Sequence, residues 1–211
     1  MKQKPQQSIS TMAPLLLASA SPRRRELLSI LIDDFTIEAA DIDETPYAGE
    51  SAEGYVKRMA VAKAGKVADR HPGRPVLGAD TAVVVDGVFL GKPESAAAAR
   101  TMLESLSARS HLVYSSVCLV DASGHAETAL SITRVWFETL PGHWISAYVD
   151  SAEPMDKAGA YAIQGSAAAW ISRIDGSYSG VVGLPLFETV ALLGNAGVLP
   201  DCYRSEIGAS Q

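Results

Sequence analysis

The sequence predicts an α/β protein whose mixed sheet is flanked by helices, and three observations carry that reading. Short apolar, β-branched runs alternate with stretches of helical periodicity along most of the 211 residues. Asp86-Gly87 lies between β-branched and apolar residues, the signature of a two-residue hairpin, so one strand pair must be antiparallel. Two long strand-like segments, His111 to Asp121 and Glu127 to Glu138, are joined only by the short "ASGH" turn, which demands a second antiparallel pair.

The elements follow in order. The apolar run from Leu15 opens a strand over 15–19, and Ser21 then reads as an N-cap with Pro22 at the first helical position, where its missing N–H costs nothing. That helix runs over 22–31, a strand follows over 34–39, and a longer helix spans 51–69. A strand over 75–80 leads into the hairpin through 91, and Pro-Glu-Ser starts an alanine-rich helix over about 94–107. After the two long strands come a helix at about 141–151, a Gly-rich passage, a strand near 169–174 and a last helix over 184–193. No repeat, low-complexity tract or linker-like shift interrupts this pattern, so residues 13–199 are expected to form one domain. The polar first dozen residues read as a disordered extension and residues 200–211 as a tail.

Composition narrows the function. The hydrophobic fraction is 47% and the charged fraction 20%, ordinary for a globular protein, while a net charge of −6 argues against a broad basic face coating nucleic acid. No run approaches the roughly 18 apolar residues of a membrane span, and the first dozen residues lack the apolar core of a signal peptide. A cytoplasmic location is therefore expected. Cys118 and Cys202 lie far apart without metal-type spacing and are read as reduced thiols, Cys118 packing in a strand.

Four constellations carry chemistry. Arg23, Arg24 and Arg25 crowd the first turn of a helix, where unpaired N–H groups already favour anions and each cation costs roughly 0.3–1 kcal/mol. On a wheel anchored by Leu27, Leu28 and Leu31, Arg25 points away while Arg23 and Arg24 flank the buried stripe. With Ser19 and Ser21 they form either an anion pocket or a solvated basic turn paired with Glu26. Lys63 sits inside the apolar stripe Val56, Met59, Ala60, Val67, and either snorkels to the core's edge or points into a cleft. Pairing outward from Asp86-Gly87 sets Val85 against Val88 and, by the same register, Thr81 against Lys92, which leaves Asp80 one step from Lys92. That juxtaposition is either a cross-strand salt bridge or part of a site at a strand end. Asp41, Asp43 and Glu44 offer hard oxygen ligands without the EF-hand pattern. His71, His111, His125 and His143 are scattered without ligand spacing, and no nucleophile elbow, P-loop or dinucleotide fingerprint is present. Cations from three segments and carboxylates from two suggest a polyphosphate bound with a divalent cation.

The segments "LASASPRR", "DIDE", "AKA", "LGADTAVVVDG", "GKP", "EPMDKAGAYAIQG" and "GSYSGVVGLPLFET" resemble the Maf family of nucleoside triphosphate pyrophosphatases, in family order over about 13–195. The resemblance implies an elongated twisted mixed sheet like that of the inosine triphosphate pyrophosphatases, with two lobes around a cleft, usually as a homodimer. It implies cleavage between the α and β phosphates of a nucleotide with Mg²⁺ or Mn²⁺, and "DKAGAYAIQG" points to the branch acting on dTTP and UTP. By the same resemblance Asp80 is the proton acceptor, and Arg23, Thr81 and Gln164 stand at positions of substrate choice. Ser19, Arg24, Glu44, Lys63 and Lys92 fall on the remaining pocket positions; by their chemistry Ser19, Arg24, Lys63 and Lys92 suit the phosphates, and Glu44, with Asp80 as a second choice, suits a divalent metal. The competing expectation is a nucleotide-binding regulator of cell division with little catalysis.

Overall fold

The structure is a computed structural model that describes residues 14–199 and residue 203. The expected N-terminal extension, Cys202 and all of the tail but Tyr203 lie outside the described residues. Seven strands form one mixed sheet: β1 (Leu15–Leu17), β2 (Phe35–Ile37), β3 (Val76–Val85), β4 (Val88–Leu90), β5 (Ser110–Val120), β6 (Ala126–Phe137) and β7 (Ile171–Asp175). Their order is β2-β1-β3-β5-β6-β7, with β4 added to β3; the β1 pairings are parallel and the others antiparallel. Six α-helices accompany them: α1 (Pro22–Leu28), α2 (Ala52–Ala68), α3 (Ala96–Leu106), α4 (Gly142–Asp150), α5 (Tyr178–Val182) and α6 (Leu186–Asn195).

The central strand β3 organises the molecule. One edge pairs continuously with β5 from Val76 to Val84. The other edge is shared: Val76 and Leu77 pair with β1, Val83 to Val85 pair with β4, and positions 78–82 between them carry no strand partner. The sheet therefore has a gap in it, and Asp80 and Thr81 sit on its rim. Because side chains alternate across a strand, these neighbours face opposite sides. Gly78 shares Asp80's face, and a Cβ there would lie 2.5 Å from the Ala60 carbonyl and 2.7 Å from the Ala64 nitrogen of α2. This contact is what lets α2 approach the sheet closely enough for Lys63, between those two alanines, to reach Asp80.

The two faces hold separate cores. On the α2 side Leu16, Ala18, Ala60, Ala64, Val67, Val76, Cys118 and Val120 form a small cluster. The opposite face, covered by the remaining helices, carries the larger core that includes Leu15, Leu17, Leu28, Leu77, Leu103 and Leu193, each side chain contributing about 1.5–3 kcal/mol by burial. Tyr203 packs at its margin.

The predicted elements are present, with three differences. The hairpin register is as expected, Val85 opposite Val88, but the ladder ends at Val83 and Leu90 rather than extending to Thr81 and Lys92. The chain peels away there because the Gly91 carbonyl accepts from the Gly159 N–H at 3.1 Å instead of continuing along β3. The Gly-rich passage contains short 3₁₀ turns over 153–156, 158–160 and 166–170, and α5 follows β7 where no helix is predicted. Strand β1 also stops at Leu17, leaving 18–21 to form the turn into α1.

An ion pair between Arg58 and Glu50 helps to tie down the loop between β2 and α2. Arg58 grips Glu50 in two-pronged fashion, with Nε 2.7 Å from Oε1 and Nη2 2.6 Å from Oε2, and its guanidinium lies 3.9 Å from the centre of the Tyr47 ring. The hydrogen bond from Arg58 holds the Glu50 carboxyl down to about 2. A depressed folded-state value stabilises the fold above the unfolded value of about 4.3, and that contribution is lost as pH falls toward the folded one. Glu50→Gln is therefore expected to melt at lower temperature than wild type at pH 7 and to show a flatter decline between pH 5 and pH 2. Thermal melts across that range check it, and parallel curves would refute it.

Candidate active site

A cleft of about 520 Å³ opens at the gap in the sheet. All the residues singled out from sequence as phosphate, metal, specificity or catalytic positions line it: Ser19, Arg23, Arg24, Glu44, Lys63, Asp80, Thr81, Lys92 and Gln164. They come from six segments: the turn from β1 into α1, the loop between β2 and α2, α2 itself, β3, the stretch after β4 and the Gly-rich passage.

The α1 turn is built as expected. The Ser21 hydroxyl accepts from the Arg24 N–H at 3.4 Å, Pro22 starts the helix, Leu27 and Leu28 are buried, and Arg25 is exposed. Arg24 turns back into the cleft, where its Nε donates to the Gly183 carbonyl at 2.8 Å and its Nη1 to the Ser19 hydroxyl at 3.5 Å. Burial lowers its pKa, with the nearby charges of Asp80 and Glu44 opposing that shift. Arg23 instead reaches Asp156, Nη1 to Oδ2 at 3.2 Å.

The centre of the site is a buried lysine between two carboxylates. The Lys63 ammonium lies 2.7 Å from Asp80 Oδ1 and 3.0 Å from Glu44 Oε1. Lys63 and Asp80 are 6% and 5% exposed, so the lysine occupies the cleft rather than snorkelling to solvent. Asp80's partner is thus Lys63, and the cross-strand bridge to Lys92 is not formed. Burial pushes the Asp80 carboxyl above its ordinary range, and the charges of Lys63 and Arg24 pull against it without cancelling it.

Of the acidic loop, Glu44 alone enters the cleft, while Asp43 accepts from the Thr45 N–H at 2.9 Å and so closes a turn. Glu44 is placed by its backbone: the Tyr55 hydroxyl donates to the Glu44 carbonyl at 3.0 Å, and Arg58 Nη2 donates to the Thr45 carbonyl at 3.2 Å. Burial raises the Tyr55 phenol to about 12, which keeps it protonated as that donor. On the opposite face of the gap, the Thr81 hydroxyl lies 2.8 Å from that of Ser115, which donates to the Gly180 carbonyl at 2.6 Å. Lys92 and Gln164 are exposed on the cleft wall, and neither side chain bonds to a described residue. His111 belongs to the core: its Nε2 is 2.8 Å from the Tyr161 hydroxyl and burial lowers it to about 4, leaving it neutral.

Sequence reasoning missed Asp156, Lys157 and Tyr55, all of which line the cleft. The signal for the first two was an adjacent charge pair in a Gly- and Ala-rich run that has no surface periodicity to explain it. The lining holds five cations against three carboxylates in a chain of net charge −6, so the cleft is a local basin for anions.

Among solved structures, a HAM1 protein from Coxiella burnetii aligns with a TM-score of 0.48 and 22% identity, covering 86% of this chain and 99% of that one. A protein of Myxococcus xanthus named dTTP/UTP pyrophosphatase is 56% identical over 191 residues, 90% of this chain and 96% of that protein. One of the same name from Methylobacillus flagellatus is 52% identical over 189 residues, 89% of this chain and 94% of its own. The family model described as Maf-like protein matches residues 14–196, so the chain belongs to the Maf family.

Proposed function

We infer that this chain hydrolyses nucleoside triphosphates, dTTP and UTP among them, to the monophosphate and pyrophosphate. The observation that carries this is Asp80, a buried carboxylate held by a buried lysine at the edge of a cleft that is otherwise rich in cations. The relatives of the same name over most of both chains supply the substrate class.

Arg24, Lys63 and Lys92, with the Ser19 hydroxyl, hold the triphosphate and set three positive charges against its charge of about −4 with preorganised donors. Asp80 accepts a proton from the attacking water; the water oxygen bonds to the α-phosphorus and the bond to the β-bridging oxygen breaks, so pyrophosphate leaves. An unperturbed Asp is a weak base at neutral pH, and burial moves Asp80 in the helpful direction. Glu44 and Asp80 each place one carboxylate oxygen on the Lys63 ammonium, at 3.0 and 2.7 Å, and both line the cleft, so the second oxygen of each is available to a cation beside the lysine. Two carboxylates with phosphate oxygens and water suit Mg²⁺ or Mn²⁺, and no group of three or more His, Cys, Asp or Glu converges among the described residues. Such an ion would be held by Glu44 first and Asp80 second, and when bound it supplies Lewis acidity at the phosphates. Gln164 offers a donor and an acceptor to the O4–N3 edge of a pyrimidine, and Arg23 and Thr81 complete the choice of substrate. Cytoplasmic action as a homodimer belongs to the same proposal.

Pyrophosphate release from a panel of nucleoside triphosphates with Mg²⁺ or Mn²⁺ tests it. Fastest turnover of dTTP and UTP is expected. No metal-dependent release from any nucleotide would overturn the reading in favour of a nucleotide-binding regulator.

A further inference from the structure

Residues 156–158 and 161–164 form one wall of the cleft, and the backbone of the segment from Ala152 to Gly165 that carries them is firmly set. Ala152 and Ala160 hold left-handed φ values of 61° and 57°, uncommon for residues with a Cβ. Gly159, at φ 71°, backs onto Val83 so closely that a Cβ would come within 2.9 Å of Val83 Cγ1. The Tyr148 hydroxyl donates to Glu153 Oε1 and accepts from the Ala162 N–H, both at 3.0 Å. Asp156 therefore stands on a fixed support, and its carboxylate serves two cations: Oδ1 is 2.6 Å from Lys157 Nζ and Oδ2 is 3.2 Å from Arg23 Nη1. The Glu153 carbonyl accepts from the same lysine at 2.6 Å.

The adjacent arginines are thereby held in different ways. Arg24 hydrogen-bonds to neutral acceptors, the Gly183 carbonyl and the Ser19 hydroxyl, and makes no ion pair with a described residue. Arg23 is matched to a carboxylate. A free guanidinium near a polyphosphate is drawn to the densest negative charge, where it forks onto phosphate oxygens and reads nothing of the base. One bound to a carboxylate has part of that charge offset and its orientation set, and keeps most of its five N–H donors.

We propose that Asp156 is a positioning residue for substrate choice: by pairing with Arg23 it draws that guanidinium away from the phosphates and toward the uncharged end of the nucleotide, on the wall that carries Gln164. Lys157 is held on the same wall by Asp156 and the Glu153 carbonyl. This deepens the proposed function and rests on it for the identity of the base.

Inorganic tripolyphosphate carries the charge of the substrate without base or sugar, so calorimetric titration with it isolates the phosphate contribution. Asp156→Asn releases Arg23 and is expected to bind tripolyphosphate about tenfold tighter, as removal of a competing charge does at close range. The same variant should lose about tenfold in its kcat/KM preference for dTTP over dATP, and Asp156→Glu should restore both quantities. Unchanged or weaker tripolyphosphate binding in Asp156→Asn would overturn the proposal, because a carboxylate that merely braces the loop gives that result. Should the Asn variant not fold, Arg23→Gln decides: it should lose selectivity while keeping tripolyphosphate affinity, and an affinity loss equal to that of Arg24→Gln would refute the division of roles. The titration needs no turnover, so a chain that binds tripolyphosphate but cleaves no nucleotide overturns the proposed function alone.

Discussion

Asp80→Asn is expected to lower pyrophosphate release from dTTP by about 10²–10⁴-fold, the span a positioned general base supplies, while nucleotide binding stays within about tenfold. The amide keeps the shape of the carboxylate and an oxygen facing the Lys63 ammonium, which retains Glu44 at 3.0 Å as its counter-ion. What the variant loses is the ability to accept a proton. Steady-state turnover set beside equilibrium binding of the nucleotide checks this, and turnover near that of wild type would remove Asp80 from its role. In the wild type the acid limb of kcat/KM is expected above the ordinary Asp value of about 3.9, because burial raises this carboxyl.

Much of the site was legible because its residues break local rules. Lys63 interrupts an apolar helical stripe, three arginines crowd the wrong end of a helix, and Asp80 ends an apolar run, so each conflicts with its own element and calls for a partner elsewhere. The Asp86-Gly87 hairpin was legible in its register, with Val85 opposite Val88. The gap in the sheet was not legible, because it depends on where β1 and β4 leave β3. The first departs at Leu17 to become the α1 turn, and the second is captured by the Gly159 N–H. Helix α5 has five residues, too few for any periodicity, although its Ser177 side chain caps Gly180. Its Gly183 carbonyl, which holds Arg24, is a backbone group that every residue possesses and no sequence pattern marks. Asp156 and Lys157 escaped for a related reason, since their significance lies in Arg23 approaching from 133 positions away.

Lys63→Met separates the lysine's two contributions, because methionine keeps its length and apolar stem and removes only the charge. Turnover is expected to fall by about 10²-fold or more, the usual effect of deleting one preorganised charge from a reacting anion. The fold should answer in a pH-dependent way. Asp80 is buried and already raised by that burial, with Lys63 the largest influence pulling it down. Without the ammonium its folded value rises further above the unfolded value of about 3.9. A carboxyl raised in the folded state binds its proton more tightly there, so stability falls as pH climbs through the interval between the two values and stays low above it. Below the unfolded value both states are protonated and the deficit vanishes. Removing one partner of a buried pair costs about 3–5 kcal/mol when the other stays charged, and Asp80 can avoid that cost only by remaining protonated, in which form it cannot accept a proton from water. Urea melts of both proteins from pH 4 to pH 8 should therefore diverge toward neutrality, and a deficit equal at every pH would mean that the ammonium does not act on the fold through the ionisation of Asp80. The same substitution should raise the acid limb of the residual activity, because the charge that steadies the fold at pH 7 is the one that keeps Asp80 ionised and able to act as a base.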